Sequence, residues 1–395
     1  MPGTAEAAAL KQAVAREVDA QRRDLVELSL RIHANPELGF QEHQASAWLA
    51  DYLEARGFAV ERGICGLPTA FRAEAGREGP SVAFLAEYDA LPGIGHGCGH
   101  NIIAASAVGA GVATARVLER TGGRVLVIGT PAEEIYGGKC YLVERGAFAG
   151  VDAAMLTHPG SRNWAFARSL ACVEVTVEYT GRAAHAAARP EEGINALDAL
   201  VLAYGGIAAL RQHIREGARI HGIITEGGQA PNVVPERAAG TFLVRAEDDA
   251  YLDQLLERVL GCFRAGAEAT GARLEYRVSP ARYAAMRTNG PLAEAYARNL
   301  RALGRELTEP EGRSMGSTDM GNVSAVVPAI HPSIAIAPAG TPGHSAAFAE
   351  AACGEGGHAG LLDAARAMAM TAVDFLTDAG LRAAVRAAFE GRDAP

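Results

Sequence analysis

Apolar residues recur on one helical face from Ala5 to about His33, at Leu10, Val14, Val18, Leu25, Leu28 and Ile32, and the run His33-Ala-Asn-Pro36 ends the pattern. The spacing predicts a helix there and a second one over about 42–56. Further along, one shape repeats: a short apolar run, a loop opening on a polar residue, and often a helical stretch. SVAFLAEYDA, RVLVIGTPAEE, AAMLTHPG and SIAIAPAGTPGHS all show it. Buried strands alternating with helices predict an α/β fold with an open, mostly parallel sheet. Between about Leu170 and Arg282 the pattern changes. CVEVTVEYTG alternates like a half-exposed strand, residues 192–215 read as a helix, RIHGIITEGG and AAGTFLVRAE read as strands, 249–270 is helical, and RLEYRVSP closes the segment. The order β-α-β-β-α-β predicts a ferredoxin-like α+β module. The expected division is a discontinuous domain of residues 1–169 and 283–395, with an inserted domain of residues 170–282.

Composition agrees with two domains, since 395 residues, 49% of them hydrophobic, exceed what one core usually organises. A formal net charge of −9 offers no basic stripe for phosphates. Neither nucleic acid nor an acidic membrane surface is therefore expected as a partner, and a small neutral or cationic ligand fits better. The six cysteines stand singly, unlike a disulfide framework or a zinc knuckle, and point to a reducing cytoplasm. Glu6 and Lys11 fall where a signal peptide needs an apolar core, and the stretch from Ile102 to Ala115 is shorter than the ~18–20 apolar residues of a membrane span. Neither export nor membrane insertion is expected.

In open α/β sheets, ligands gather beyond the carboxyl ends of the strands. The residues after the four apolar runs are rich in metal-ligand types: Asp89-Ala-Leu-Pro-Gly-Ile-Gly-His96-Gly-Cys98-Gly-His100-Asn101, then Glu133 and Glu134, then His158, then His344. Cys98 and His100 stand two apart across a glycine, which in an extended loop sets both side chains on one side. Thiolate and imidazole suit zinc and similar divalent ions, and a carboxylate can add a harder ligand or bridge two ions. Alone, each has a plainer role: a packed cysteine, a loop histidine, two acids complementing a helix dipole, a turn histidine capping a strand. Their convergence at four strand ends carries the inference. Adjacent side chains diverge, so one of Glu133 and Glu134 can hold metal while the other faces an attacking water, and either order satisfies the requirement. No Gly-x-Ser-x-Gly follows any strand, which removes a serine nucleophile elbow, and Cys98 as a metal ligand has its thiolate occupied.

HANPELGFQE, DALPGIGHGCGHN, GTPAEEIYGGK, LTHPG, YTGRAAHAAARPEEGINALDA, GGQAPNVVPE, GSTDMGNVS and PGHSAAF, in this order from about residue 33 to 350, resemble the aminoacylase-like family of dinuclear amidohydrolases and metallopeptidases. Asn101, where many relatives have Asp, places the similarity in the aminobenzoyl-glutamate hydrolase and dipeptidase-like branch. The resemblance implies a metallopeptidase domain with an inserted lid and dimerisation domain. It also implies two divalent ions, manganese or zinc, on Cys98, His100, Glu134, His158 and His344, with Glu133 as general base and then acid. Asp89 would orient a ligating histidine, and Asn232 would contact substrate. His185 would reach a partner subunit's site in a homodimer and polarise the scissile carbonyl. From the residues alone, His185 reads as a solvated hairpin histidine, Asn232 as a turn residue and Asp89 as a loop cap. Asp319 could orient the site or cap a helix start, and His96 has no role that the pattern supplies.

The expected reaction is hydrolysis of an amide or peptide bond in a small N-acyl amino acid, aminobenzoyl-amino acid or dipeptide, with water activated by metal. Other C–N bonds (aryl amine, carbamoyl or ureido) and a non-catalytic ligand-binding role are the alternatives. Retention of Glu133 beside a complete ligand set argues against the last.

Overall fold

The structure, a computed structural model, describes residues 4–308 and 316–391. In chain order its strands are β1 (Ala59–Arg62), β2 (Phe71–Gly76), β3 (Ser81–Ala86), β4 (Arg124–Gly129), β5 (Ala153–Met155), β6 (His158–Gly160), β7 (Ala171–Thr180), β8 (Arg219–Glu226), β9 (Arg237–Ala246), β10 (Arg273–Val278), β11 (Ala329–Ile330) and β12 (Ser333–Ala335). Two compact units divide them: residues 4–168, 286–308 and 318–391 form one, and residues 169–285 with 316–317 the other. No helix among the described residues is long and apolar enough to cross a membrane.

The first unit is built on a six-stranded sheet of order β1-β2-β4-β3-β5-β11. The run β4-β3-β5-β11 is parallel, and β2 and β1 extend it antiparallel. Alternation along the central strands explains why both faces are covered. Val82, Phe84 and Ala86 of β3, with Val125 and Val127 of β4, join the larger helical core. Ala83, Leu85, Leu126 and Ile128 face the second core, on the opposite side. The helix His100–Ala115 is almost wholly buried, with its small residues permitting close approach. A Cβ on Gly109 would fall 2.7 Å from Leu25 Cδ1, and one on Gly111 would fall 2.4 Å from Val127 Cγ2.

The expected long first helix is instead two, Thr4–Ala20 and Arg22–Ala34. The break falls at Gln21, a buried polar residue on the otherwise apolar face, whose amide donates to the Glu17 carbonyl and accepts from Tyr52. The predicted apolar positions are nonetheless all buried. The last of the four runs departs from expectation more usefully. Ser333–Ala335 lies outside the main sheet and pairs parallel with β6, Ser333 opposite His158. The main sheet ends on the two-residue strand β11, which is too short to leave a pattern.

The second unit is a four-stranded antiparallel sheet of order β10-β7-β9-β8. Val173, Val175, Val177 and Tyr179 alternate into its core while Glu174 and Thr176 are exposed. Helices Ala196–Leu210 and Asp249–Thr270 supply the rest of that core. The first is shorter than the 192–215 expected, with single 3₁₀ turns at Pro190–Glu192 and Arg211–His213 on either side. Asn195 caps it by accepting from the N–H groups of Leu197 and Asp198, and Asp248 caps the second by accepting from Tyr251. The ferredoxin-like β-α-β-β-α-β order is present.

Candidate metal centre

Beyond the end of β3 the chain runs Glu87-Tyr88-Asp89, with both acids buried. Asp89 uses its two oxygens separately. Oδ1 accepts from His100 Nδ1 at 3.0 Å, and Oδ2 accepts from the backbone N–H of Glu134 at 3.0 Å. The first bond sets the His100 tautomer and leaves Nε2 as the free lone pair. Asp89 is therefore an orienting acid as well as a loop residue.

His100 opens its helix behind Gly99, which has φ 76°. A Cβ on Gly99 would meet Pro159 Cγ at 2.6 Å, so only glycine allows the Cys98-Gly99-His100 loop to close against the strand that carries His158. Cys98 Sγ then lies 3.4 Å from His158 Nε2. The other His158 nitrogen, Nδ1, donates to the Pro159 carbonyl at 2.7 Å, again directing the free nitrogen inward. Glu134 sits between two histidines: Oε1 is 3.7 Å from His100 Nε2, and Oε2 is 3.4 Å from His344 Nε2. His344 is exposed, has a φ of 57° and donates its backbone N–H to Gly97 O, which ties a distant loop to the Cys98 loop.

Ligand atoms of three groups each lie within 4.8 Å of one another: Cys98, His100 and His158; Cys98, Glu134 and His344; and His100, Glu133 and Glu134. The residues fit a pair of cations on two counts. Buried His100 Nε2 and Glu134 Oε1 have no hydrogen-bond partner, which a bound ion would supply. The surroundings are also anionic. Burial opposes charge on His100, yet the neighbouring Cys98 and Asp89 hold its pKa well above the usual imidazole value. Burial, with His100 beside it, lowers His158 to about 4 and keeps it in the neutral form that ligates. Burial and then the neighbouring Glu87, Asp319 and Glu134 charges raise Glu133 well above the ordinary carboxylate range.

Some site residues left no sequence signal. Lys139 is fully buried, with Nζ 2.6 Å from Glu87 Oε1 and 2.7 Å from Asp319 Oδ1, and its N–H donates to Asp319 Oδ2. One cation against two carboxylates leaves excess negative charge beside His100, whose Nε2 is 3.5 Å from Glu87 Oε2. Asp319 precedes the helix Met320–Val326 but makes no cap with its side chain, which is instead bonded to Lys139. Glu133 and Glu134 form a turn, and the helix begins only at Gly138, so the plainer role of complementing a helix dipole does not apply to them. His96 is a buried ring 5.9 Å from that of His33 and belongs to none of the three groups. Asn101 points away from the ligands, donating to Ser29 Oγ and Ala352 O, so it serves helix packing.

In the second unit, His185 and Asn232 are neighbours, both exposed: His185 bridges Val233, and Ala186 N–H donates to Asn232 O. The N–H groups of Ala187 and Ala188 donate to His185 Nδ1 at 3.3 and 3.1 Å. The ring proton is thereby held on Nε2, which leaves a hydrogen-bond donor facing outward.

Residues 83–359 match peptidase family M20/M25/M40. The chain belongs to this family. It is 41% identical to the Xaa-Arg dipeptidase of Mus musculus over 98% of its own length and 95% of the relative's. It is 36% identical to one of the subunits of the p-aminobenzoyl-glutamate hydrolase of Escherichia coli over 67% and 59% of the two chains. Among solved structures, a dinuclear metal-binding peptidase of family M20 from Bacillus subtilis shares the fold, with a TM-score of 0.70 at 23% identity over 91% of this chain and 100% of that one. As a member of M20, the protein is a metal-dependent hydrolase of amide or peptide bonds.

Proposed function

We propose that the protein is a cytoplasmic dipeptidase with two divalent ions, manganese or zinc, per chain. The observation that carries the proposal is that Cys98 belongs to two ligand groups, one completed by His100 and His158 and the other by Glu134 and His344. Shared thiolate, three imidazoles and a carboxylate are the donor set expected for two adjacent first-row ions. When bound, such ions make water more acidic and polarise a carbonyl oxygen. The rest is the work of this chain's residues. Glu133, raised in pKa and beside the ligands, takes the proton from the attacking water and passes it to the departing amine. The Nε2 proton of His185 is available to the carbonyl oxygen as negative charge develops there, and Asn232 contacts the substrate beside it.

His185 is proposed to act in a second copy's site, through pairing of the inserted domains. Val201, Leu202, Ile223 and Ile224 are exposed on the Ala196–Leu210 helix and the edge strand β8, which supports a homodimer through that surface. Six cysteines, none of them joined in a disulfide among the described residues, support a reducing compartment.

The near full-length similarity to an Xaa-Arg dipeptidase and the net charge of −9 favour dipeptides with a basic C-terminal residue. A panel of Xaa-Arg and Xaa-Lys dipeptides, neutral dipeptides, p-aminobenzoyl-glutamate, N-acyl amino acids and carbamoyl amino acids tests this. The basic dipeptides are expected to exceed the others in kcat/KM by at least about tenfold, the equivalent of ~1.4 kcal/mol. A preference for p-aminobenzoyl-glutamate or for carbamoyl substrates would overturn the assignment.

A further inference from the structure

Glu42 immediately precedes the helix His43–Glu54, yet its side chain makes no cap there. It turns inward and is fully buried. Oε1 accepts from the backbone N–H of Ala132 at 2.7 Å, and Oε2 accepts from Thr69 Oγ1 at 3.0 Å. Thr69 is tied in turn to the end of β3, because its carbonyl accepts from the Tyr88 hydroxyl at 2.5 Å. A carboxylate buried this deeply needs donors, and the one it meets further along the chain is unusual. Ala132 has φ 61°, a left-handed conformation that residues with a Cβ disfavour. It is also closely packed, since a Cβ on Gly39 would fall 3.0 Å from Ala132 Cβ.

The residue after Ala132 is Glu133, and the N–H after that, of Glu134, is held by Asp89 Oδ2. The backbone on both sides of Glu133 is thus pinned by a buried carboxylate, Glu42 before it and Asp89 behind it. Asp89 also orients His100, whereas Glu42 bonds to none of the five ligand residues. We infer that Glu42 is a positioning residue that fixes the Glu133 carboxylate for proton transfer by holding Ala132 in its left-handed conformation. The inference rests on Glu133 being the base. Misplacement of a reacting group by about 1 Å can cost 10²-fold in rate, so a lost anchor is felt mainly in kcat.

The test compares Glu42→Ala, Glu42→Gln, Ala132→Gly, Glu133→Gln and the Glu42→Ala/Glu133→Gln double variant, in the metal-loaded protein with a dipeptide substrate. Glu42→Ala is expected to lower kcat by about 10²-fold, with KM and metal content per chain within about threefold of the parent. Glu42→Gln, which keeps one oxygen for the Ala132 N–H, is expected to recover most of the loss. Ala132→Gly adopts the left-handed conformation without the Cβ penalty and keeps the N–H that Glu42 holds, so it is expected to raise the melting temperature with kcat within about threefold of the parent. In the double variant the two losses are expected not to multiply, because Glu42 acts through Glu133. Unchanged kcat in Glu42→Ala, loss of metal in step with loss of rate, or multiplying losses would overturn the role of Glu42 while leaving the dipeptidase reading in place. Full activity in Glu133→Gln would overturn the base assignment, and this inference with it.

Discussion

Glu133→Gln is expected to lower kcat by about 10²–10⁴-fold while the protein keeps its full complement of metal. Glutamine retains the size of the side chain and one acceptor oxygen but cannot carry the proton from water to the departing amine. That outcome separates two adjacent acids that the sequence alone leaves interchangeable. Glu134 places its oxygens toward His100 and His344, with its backbone N–H fixed by Asp89. Glu133 instead has a pKa raised by burial and by the surrounding carboxylates. KM should change little, because the lost interaction belongs to the transition state. Steady-state kinetics beside elemental analysis of the same preparation measures both, and retention of full kcat would remove Glu133 from the mechanism.

His158→Ala should fail in the opposite way, by losing metal first. The imidazole is aligned twice over, through Nδ1 to the Pro159 carbonyl and through Nε2 toward Cys98 Sγ. Removal of groups that merely orient a ligand commonly weakens metal binding by 10–100-fold, so loss of a ligand itself should weaken it by at least about 100-fold. Activity in His158→Ala should return in part at high metal concentration, whereas that of Glu133→Gln should not. Tight binding of two ions by His158→Ala, measured by competition with a chelator, would place the centre elsewhere.

Much of this site is visible in the sequence because its residues follow apolar runs. Cys98, His100, Glu133 and Glu134 come directly after β3 and β4 or in the loops that these strands open, and the covered central strands leave continuous apolar segments. For His158 and His344 the association with strand ends is only partly right. His158 begins β6, in a two-stranded ladder apart from the main sheet, and His344 lies on a loop nine residues past β12, held by Gly97. Glu42, Glu87 and Lys139, the partner of Asp319, are not legible in the sequence. Their contacts span 90 residues between Glu42 and Ala132 and 180 between Lys139 and Asp319, and no local periodicity encodes such pairs. Lys139 in particular reads as an ordinary surface lysine until the fold buries it between two acids. The two-residue β11 and the break at Gln21 escape for the complementary reason, that each turns on one or two residues within an otherwise regular pattern.

If two divalent ions sit on ligand groups that share Cys98, hydrolysis must depend on both of them. The most direct measurement starts from metal-free protein, prepared by exhaustive chelation and titrated with manganese or zinc while bound metal and dipeptide hydrolysis are followed together. No turnover without metal and full turnover at two ions per chain are expected; hydrolysis by the metal-free protein, or saturation at a single ion, would contradict the two-ion centre.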